Sequence, residues 1–571
     1  MSDSSVNILV GGEAGQGLAT IGQLMAKALV RTGYEVLVVQ EYLSRIRGGH
    51  NTFSIRTGPE PLGGPAGQVD ILVALDAETV TLHQGRLSER AVVVADEAIA
   101  VAHHRCLRVP FNQLAPKPIF TNTVALGVLS SVLCNDLAVL EDLLRETFAK
   151  KGEAVVEENL KVLRDAHAWA TGMKVAFACM PPAPAKPKSR IMLNGNEAIA
   201  LGALAAGCNF CSFYPMTPAT SIALTLINKG KALNVVSEQA EDEIAAINMA
   251  LGASFAGARP LVPTSGGGFA LMCEGLSLAG ITETPVVIAL AQRPGPATGL
   301  PTRTEQADLN MVVFAGHGEF PRAVFAPGSV EQCFHLTHHA FAMAEAWQVP
   351  AFVLTDQYLA DSYRAVEPFD PDDLPEIPGP VLAPESPETY RRYEITEDGV
   401  SPRAVPGLSP ALVRADSDEH GPEGCIIEDP ATRIAMNEKR LRKHVRLKAE
   451  VLPPTLYGDA GADLLLVCWG SGLGPCLEAA EALKARGVWA GVLHFTQVWP
   501  LNDTAFAPYL DAAKTVVVAE GNATGQLASL IARESGRRID NRILRHDGLP
   551  LDAGYILASL EYILWPPRSD S

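Results

Sequence analysis

Short apolar runs alternate with helical stretches along most of the chain, and this alternation restricts the fold more than any other feature. In the N-terminal part the apolar runs are Val6–Val10, Val36–Val39, Ile71–Leu75 and Ala91–Val94, and the helical pattern Ala19–Arg31 follows the first of them. Strands separated by helices predict a parallel sheet covered by helices. The predicted fold class is therefore α/β, and a length of 571 residues requires several domains.

Two segments of unusual composition divide this pattern into domains. Prolines crowd residues 181–187, which stiffens the chain into an extended spacer. Prolines and acids also dominate the stretch after residue 361, where one basic helix (Met436–Val451) and no clear strand are expected. The predicted organisation is an α/β domain at 1–178, a linker at 179–190, a second α/β domain at 191–361, a connector at 362–460 and a third α/β domain at 461–571.

Charge and hydropathy exclude several classes of protein. The net charge of -18 and the pI of about 5.2 argue against nucleic-acid and anionic-membrane partners, which favour a basic face. No apolar run approaches the roughly 20 residues that cross a bilayer, and the N-terminus has no signal-peptide layout, so a cytoplasmic protein is expected. The scattered cysteines predict reduced thiols, and no metal site is expected at the pair Cys208 and Cys211 or elsewhere.

A glycine-rich loop lies between the first predicted strand and helix, at Gly11–Gly17. Its glycines let main-chain N–H groups approach a phosphate at a helix N-terminus. The spacing differs from a dinucleotide fingerprint, although Glu41 could take the place of its ribose-binding acid. Farther on, Arg45 and Arg47 flank a glycine turn and could clamp a phosphate or the carboxylates of another subunit, or could lie in a solvated turn.

A second stretch combines acids with small residues, at Ser237–Gly268. Glu238, Glu241 and Glu243 fall at the end of a predicted strand and in the first turn of an Ala/Gly-rich helix, where the helix dipole favours negative charge. Active sites of open α/β sheets lie at such strand ends. A capping acid and a catalytic acid are both compatible with this pattern, and the small side chains favour close packing against another backbone or subunit.

Several motifs follow one another in an order typical of one enzyme family. They are Tyr214–Ser221, Glu243 with its Ala/Gly helix, Thr264–Gly268, Gln292–Leu309 and, in the last domain, Glu520–Leu527. In this order they resemble the α subunits of 2-oxoacid:ferredoxin oxidoreductases, with a γ-type domain fused ahead, and most closely those of the 2-oxoglutarate synthase type. The resemblance implies a γ-type α/β domain, a thiamine-diphosphate-type pyrimidine-binding α/β domain and a transketolase-C-like α/β domain.

The resemblance also implies roles for individual residues. Glu243 matches the glutamate that reaches the aminopyrimidine ring of thiamine diphosphate, and Thr217 and Arg293 match residues that meet the reacting 2-oxo acid. Arg303, the next cation along the loop, is expected either to bind a distal carboxylate or to form a structural salt bridge. The remaining expected contacts are Tyr214, Pro215, Thr264, Ser265 and Gly266 for the cofactor, and Gly12, Gly15, Gly17, Arg45 and Arg47 for coenzyme A.

Two missing motifs predict a partner chain. The sequence has no Gly-Asp-Gly motif with a downstream Asn to hold Mg²⁺ and the diphosphate, Gly458–Gly461 being a near miss, and no four clustered cysteines for an iron-sulfur centre. The Mg²⁺ and the four-iron four-sulfur cluster are therefore expected on another chain. The resemblance implies that this partner chain is a β subunit, in a dimer of αβ units that reduces ferredoxin.

The predicted reaction is the conversion of 2-oxoglutarate and coenzyme A to succinyl-CoA, or the reverse reductive carboxylation of a reductive TCA cycle. Three alternatives remain open at this stage. The first is the same chemistry on pyruvate or a branched-chain 2-oxo acid, the second a non-redox enzyme of transketolase type, and the third a non-catalytic scaffold that binds coenzyme A or a nucleotide.

Overall fold

The computed structural model describes residues 5–13, 16–42, 49–103, 105–173, 177, 179–183, 189–379, 387–459 and 461–564. Its strands, in chain order, are β1 (Val6–Glu13), β2 (Glu35–Glu41), β3 (His50–Gly58), β4 (Val69–Ala74), β5 (Leu87–Asp96), β6 (Cys106–Val109), β7 (Ile191–Leu193), β8 (Phe210–Phe213), β9 (Val236–Gln239), β10 (Pro260–Thr264), β11 (Val286–Gln292), β12 (Ala323–Phe325), β13 (Pro350–Asp356), β14 (Tyr363–Val366), β15 (Thr455–Tyr457), β16 (Leu464–Trp469), β17 (Ala490–Phe495), β18 (Gln497–Trp499), β19 (Thr515–Glu520) and β20 (Asn541–Leu544).

The helices are α1 (Leu18–Arg31), α2 (Ala77–His83), α3 (Phe111–Leu114), α4 (Thr121–Val132), α5 (Leu137–Phe148), α6 (Glu153–Gly172), α7 (Gly195–Ala205), α8 (Thr220–Gly230), α9 (Glu243–Phe255), α10 (Gly266–Leu271), α11 (Cys273–Ile281), α12 (Leu309–Phe314), α13 (Val330–Trp347), α14 (Gln357–Asp361), α15 (Pro430–Ala449), α16 (Leu473–Lys484), α17 (Ala507–Ala512), α18 (Gln526–Ser535) and α19 (Ala553–Leu564). The chain forms two compact units. The first comprises Met1–Leu193, Ser362–Phe369 and Asp552–Gly554, and the second comprises Asn194–Asp361, Asp370–Leu551 and Tyr555–Ser571.

The first unit contains a mixed sheet with the strand order β6-β5-β4-β1-β3-β2-β14-β7. The prediction of a parallel sheet was wrong here, because β1 and β2 both pair antiparallel with β3. Strand β3 escaped prediction because Asn, Thr, Ser and Arg interrupt its apolar residues. It is nevertheless central: Phe53 is buried against Gly22 of α1, where a Cβ would lie 2.0 Å from the ring.

Two strands, Tyr363–Val366 (β14) and Thr455–Tyr457 (β15), also interrupt the segment 362–460 that was expected to be a strand-free connector. Tyr363–Val366 (β14) pairs antiparallel with both β2 and β7 and so belongs to the first sheet. The basic helix predicted at Met436–Val451 is present but begins earlier, at Pro430, where Asp429 caps it by accepting a hydrogen bond from the N–H of Thr432.

One expectation about the cysteines also fails. Cys134 and Cys179 of the first unit form a disulfide bond, whereas reduced thiols were predicted throughout. The two residues are 45 positions apart in sequence, so their spacing alone gave no sign of the pairing. Cys208 and Cys211 are free and buried, as expected of structural cysteines.

The second unit combines two sheets. In the larger sheet, ordered β18-β12-β13-β11-β10-β8-β9, all neighbouring strands are parallel except β18, which pairs antiparallel with β12. The smaller sheet, ordered β15-β17-β16-β19-β20, carries the strand-helix-strand pattern predicted for the last domain. Because β18 follows β17 directly in the chain, the C-terminal part contributes a strand to both sheets, and one hydrophobic core spans the two.

A buried charge cluster fixes helix α15 to the larger sheet. Glu283 accepts a hydrogen bond from Lys439 at 2.6 Å and pairs with Lys443, one helical turn on, while Arg392 donates to the main-chain oxygen of Glu283 at 2.8 Å. Burial alone would raise the pKa of Glu283, but Lys443, Lys439 and Arg392 outweigh it and hold the pKa well below its usual range. The carboxylate is therefore the shared counter-ion of three buried cations.

Candidate active site

Every predicted site motif of the second unit follows the carboxyl end of a parallel strand. Strand β8 runs into Tyr214–Pro218, β9 into Glu243, β10 into Ser265–Gly268 and β11 into Arg293. These four strands are neighbours in the order β11-β10-β8-β9. Because the carboxyl ends of parallel strands lie at one edge of the sheet, the fold gathers the four motifs at that edge, where open α/β sheets carry their sites.

Glu243 is the buried one of the three glutamates that the sequence left in competition. Glu238 and Glu241 are exposed, whereas Glu243 retains 3% of its accessible surface. Asp242 caps α9 by accepting a hydrogen bond from the N–H of Ala245 at 2.7 Å, so the capping role belongs to Asp242 and not to Glu243. Within the described part of the chain, the Oε1 of Glu243 has no hydrogen-bond partner, which is costly for a buried carboxylate oxygen unless a bound donor satisfies it.

The glycines after β10 allow side chains to approach from both sides of the main chain. A Cβ on Gly268 would lie 2.4 Å from Thr264 Oγ1 and 2.8 Å from Glu243 Oε1. A Cβ on Gly266 would lie 2.3 Å from Asp308 Oδ2, whereas one on Gly267 would meet no atom closer than 3.9 Å. Thr264 and Ser265 are fully buried, and the hydroxyl of Ser265 also lacks a partner.

Arg293 and Thr217 are in direct contact. Arg293 Nη1 donates a hydrogen bond to the main-chain oxygen of Thr217 at 2.7 Å, and the peptide bond between Thr217 and Pro218 is cis. Burial lowers the pKa of Arg293, and the nearby Asp308 opposes that shift. The structure therefore brings together the two residues expected to meet the 2-oxo acid, while Tyr214 and Pro215 on the same turn are exposed.

Asp308 is a site residue that the sequence reasoning did not single out. Burial and the nearby Glu305 raise the pKa of Asp308 to about 6, against the opposing charge of Arg293. Its main-chain N–H donates to Gln292 Oε1 at 2.9 Å, and Asp308 directly precedes α12. An acid immediately before a helix is a common capping signal, so the sequence offered a reason to overlook it.

A second overlooked residue, Gln306, ties the site loop to the C-terminal part of the same unit. Its N–H donates to Gly521 O at 2.6 Å and its Oε1 accepts from the N–H of Gly521 at 2.8 Å. Its Nε2 donates to Trp469 O at 3.2 Å, and Gln526 Nε2 donates to Ala307 O at 2.7 Å. The motif Glu520–Leu527, which the sequence identified only by resemblance, thus holds the loop that carries Asp308.

The other predicted contacts are more scattered. Arg303 is half-buried on the same loop, and its stem packs near Gly548, but its expected role with a distal carboxylate stays a prediction. In the first unit Gly12 is buried near the end of β1, and Gly17 precedes α1 with a left-handed φ of 76°. The remaining expected coenzyme A contacts, Gly15, Arg45 and Arg47, lie outside the described residues.

The described residues offer neither a metal-binding cluster nor a membrane-spanning helix. Among the residues that the structure describes, no group of three or more His, Cys, Asp or Glu side chains is placed to hold a metal ion. In the same part of the chain, no helix is both long and apolar enough to cross a membrane.

Comparison with protein families gives the class to which this fold and site belong. Residues 7–169 match a family described as pyruvate ferredoxin/flavodoxin oxidoreductase, residues 201–439 its thiamine-diphosphate-binding domain, and residues 456–550 the C-terminal domain of transketolase. The chain thus has the domains of a thiamine-dependent oxidoreductase, and the unpartnered Glu243 lies within the thiamine-diphosphate-binding part.

Relatives identify the family. The 2-oxoacid:ferredoxin oxidoreductase 2 subunit alpha of Aeropyrum pernix is 32% identical over 98% of each chain. The 2-oxoglutarate synthase subunit KorA of Archaeoglobus fulgidus is 35% identical over 60% of this chain and 90% of its own. The 2-oxoglutarate:ferredoxin oxidoreductase from Magnetococcus marinus, solved with 2-oxoglutarate, coenzyme A and succinyl-CoA bound, superposes with a TM-score of 0.93 at 32% identity, over 98% of this chain and 99% of that one.

The chain belongs to the 2-oxoacid:ferredoxin oxidoreductase family, as an α subunit with a fused γ-type domain. The residues present fit the thiamine cofactor of that family, because Glu243 Oε1 is a buried acceptor without a donor among the described residues and the buried hydroxyl of Ser265 also lacks a partner there.

Proposed function

We propose that this subunit takes part in the oxidative decarboxylation of 2-oxoglutarate to succinyl-CoA, with ferredoxin as electron acceptor, and in the reverse reductive carboxylation. The observation that carries the proposal is Glu243, whose buried oxygen lacks a donor at the sheet edge where Thr217 and Arg293 meet. The substrate is supported by the 2-oxoglutarate synthase relative and by the Magnetococcus marinus enzyme that was solved with 2-oxoglutarate.

Glu243 is the proposed acid-base residue toward the cofactor. When bound, thiamine diphosphate supplies the electron sink on which the bond between the carboxyl and carbonyl carbons of a 2-oxo acid breaks. Glu243 would hold a proton at the aminopyrimidine ring nitrogen through Oε1, the oxygen that has no partner among the described residues. The exposed turn residues Tyr214 and Pro215, with Thr264, Ser265 and Gly266, are the proposed surroundings of that ring.

Thr217 and Arg293 are the proposed substrate contacts. The guanidinium group is a natural partner for the 1-carboxylate of a 2-oxo acid, because it presents paired N–H donors. Its hydrogen bond to Thr217 O fixes the guanidinium beside the hydroxyl-bearing residue, which would donate to the oxygen on which negative charge develops. Arg303 is proposed for the distal carboxylate of 2-oxoglutarate, and a pyruvate preference would remove that role.

A partner chain is proposed to complete the site. Tyr214, Val236, Ile244, Met249 and Leu271 are large apolar side chains of the elements that carry the site motifs, and all are exposed. We call these residues the apolar rim. Large exposed apolar side chains on the elements that carry a site are typical of protein interfaces. The proposed occupant is the β subunit, which would bring Mg²⁺, the four-iron four-sulfur cluster and the ferredoxin contact, in a dimer of αβ units.

The rim can be tested apart from catalysis. Replacing Ile244 by Asp places a charge in the proposed interface, and we expect the variant to lose co-purification with the β subunit. Leu408 is a matched control, because its side chain is also exposed but lies outside the site elements. Equal recovery of the β subunit with Ile244→Asp and Leu408→Asp would remove the proposed interface.

The catalytic proposal is tested with the co-purified αβ complex. We expect Glu243→Gln to abolish 2-oxo-acid-dependent dye reduction and Glu241→Gln, its exposed neighbour, to leave the rate unchanged. Rates measured with 2-oxoglutarate, pyruvate and branched-chain 2-oxo acids identify the preferred substrate. A clear preference for pyruvate would contradict the proposal that the substrate is 2-oxoglutarate. Near-wild-type turnover by Glu243→Gln would contradict the proposed role of Glu243 toward the cofactor.

Coenzyme A is proposed to bind the first unit near Gly12 and Gly17. Gly12 has a neighbouring side-chain oxygen, Gln16 Oε1, 2.3 Å from the position of an added Cβ. We expect Gly12→Ala to raise the KM for coenzyme A without changing the KM for the 2-oxo acid. A variant with both constants unchanged would move the coenzyme A site elsewhere.

A further inference from the structure

Asp308 is a half-buried residue whose carboxylate the proposed roles of Thr217, Glu243 and Arg293 leave unused. Its Oδ2 is buried and has no hydrogen-bond partner among the described residues. The Cα of Gly266 is its close neighbour, since an added Cβ would lie 2.3 Å from Oδ2. Gln292, which binds the main-chain N–H of Asp308, directly precedes Arg293. The main chain of Asp308 is therefore tied to the residue before Arg293, and its carboxylate lies against Gly266.

The charged groups around Asp308 come from several elements. Arg293 at the end of β11 attracts the ionised carboxylate, and Glu305 on the preceding loop repels it. Glu243 of α9 lies at the other end of the same glycine run, against Gly268. His546 acts on Glu305, whose pKa burial raises. Helix α10 itself, Gly266–Leu271, carries no charged side chain.

Arg293 can therefore face two carboxylates at once. One of its donors already serves Thr217 O, and a 2-oxo acid bound to the guanidinium would bring a second anion close to Asp308. Two carboxylates near one guanidinium repel each other, and the partial burial of Asp308 enhances the repulsion. Protonating one of them removes the repulsion and turns Asp308 into a hydrogen-bond donor.

We propose that Asp308 is a positioning residue that takes up one proton when the carboxylate of a 2-oxo acid binds Arg293. The inference rests on the proposed function, in which Arg293 receives that carboxylate. In the step, the ionised Asp308, one proton from solvent and the 2-oxo acid anion give neutral Asp308 and the bound anion. No other bond forms or breaks. Substrate affinity therefore depends on the charge state of Asp308.

Calorimetry on the αβ complex measures the proton directly. The probe is N-oxalylglycine, a 2-oxoglutarate analogue that is not decarboxylated, titrated at pH 8 in buffers of different ionisation enthalpy. We expect an uptake of about one proton per site in the wild type, since a group with a pKa of about 6 is almost fully ionised at that pH. Asp308→Asn should take up almost none, and Glu241→Gln should match the wild type.

The pH dependence of KM provides the second readout. Wild-type KM for 2-oxoglutarate should rise as the pH increases above about 6, whereas the KM of Asp308→Asn should stay flat and be at least about fivefold lower at pH 8. Glu305→Gln retains Asp308 but removes the repelling charge, so the rise should begin at a lower pH. If Asp308 had only a structural role, the pH profiles of KM for Asp308→Asn and Glu305→Gln would keep the wild-type shape.

The outcomes separate the inference from the proposed function. A wild-type complex that turns over a 2-oxo acid but takes up no proton, or an Asp308→Asn variant that keeps the wild-type profile, overturns the inference alone. A wild-type complex that oxidises no 2-oxo acid overturns the proposed function and the inference together.

Discussion

Replacing Gly268 by Ala perturbs the candidate site with a single methyl group. The added Cβ would lie 2.4 Å from Thr264 Oγ1 and 2.8 Å from Glu243 Oε1, distances that real side chains do not adopt. Thr264 and Glu243 are both buried, so neither can turn into solvent to make room. The carboxylate of Glu243 must therefore shift by somewhat less than an ångström.

The expected magnitudes follow from this geometry. Overpacking of a buried position costs about 1–3 kcal/mol, and the higher helix propensity of Ala offsets up to about 1 kcal/mol of that. The chain should therefore remain folded. A misplacement of this size at a catalytic group costs about 10²-fold in rate, so activity should fall far more than stability.

The matched control lies one residue away. A Cβ on Gly267 would meet nothing closer than 3.9 Å, so Gly267→Ala should keep both rate and stability. Dye reduction by the αβ complex at saturating thiamine diphosphate gives the rates, and urea unfolding of each variant gives the stabilities. Equal turnover by the two variants, within a factor of about two, would refute the proposed position of Glu243.

Three further predictions concern stability. The folded-state pKa of Asp308 is raised to about 6 from an ordinary 3.8. Its contribution to folding stability is therefore fully present below pH 3.8 and is lost as the pH rises through 6. In urea unfolding, the free energy of unfolding of Asp308→Asn should exceed that of the wild type at pH 8 by up to about 3 kcal/mol. A difference between the two that is no larger at pH 8 than at pH 4 would contradict this. Glu283→Gln leaves Lys439, Lys443 and Arg392 buried without their counter-ion and should cost about 3–5 kcal/mol in the same assay, whereas an unchanged midpoint would show that the cluster is unimportant. Gly252→Ala adds a methyl group where no atom lies within 4 Å and should stabilise α9 by about 0.5–1 kcal/mol in the isolated chain; a lowered midpoint would mean that this face is already covered.

Local signals were sufficient for the elements that carry the motifs. The run before Ser237, the acids and the small residues that follow predicted a strand end and a helix, and β9 and α9 lie there. Burial then distinguished Glu243 from Glu238 and Glu241, which lie before the helix begins, and this burial depends on packing of Glu243 against the distant Gly268. No local pattern in the sequence indicates such a contact.

The missed features depend on contacts between distant parts of the chain. Strand β3 is polar in sequence but buried because it pairs on both sides, with β1 and with β2. Strand β14 forms between two partners that both lie far away in the sequence. Gln306 is 215 residues from Gly521, and Asp308 acquires its shifted pKa only from its surroundings in the fold.

The ties at Gln306 and Gln526 bear on how relatives of this chain could be recombined. The loop that presents Asp308 belongs to one α/β layer, yet its main chain and the side chain of Gln306 are held by groups of another: Gly521, Trp469 and Gln526. A chimaera that exchanges the C-terminal layer would keep every residue of the loop and lose the frame that sets its conformation. Substrate choice in such hybrids should depend on the parent protein that supplies the C-terminal layer as well as on the parent protein that supplies the loop.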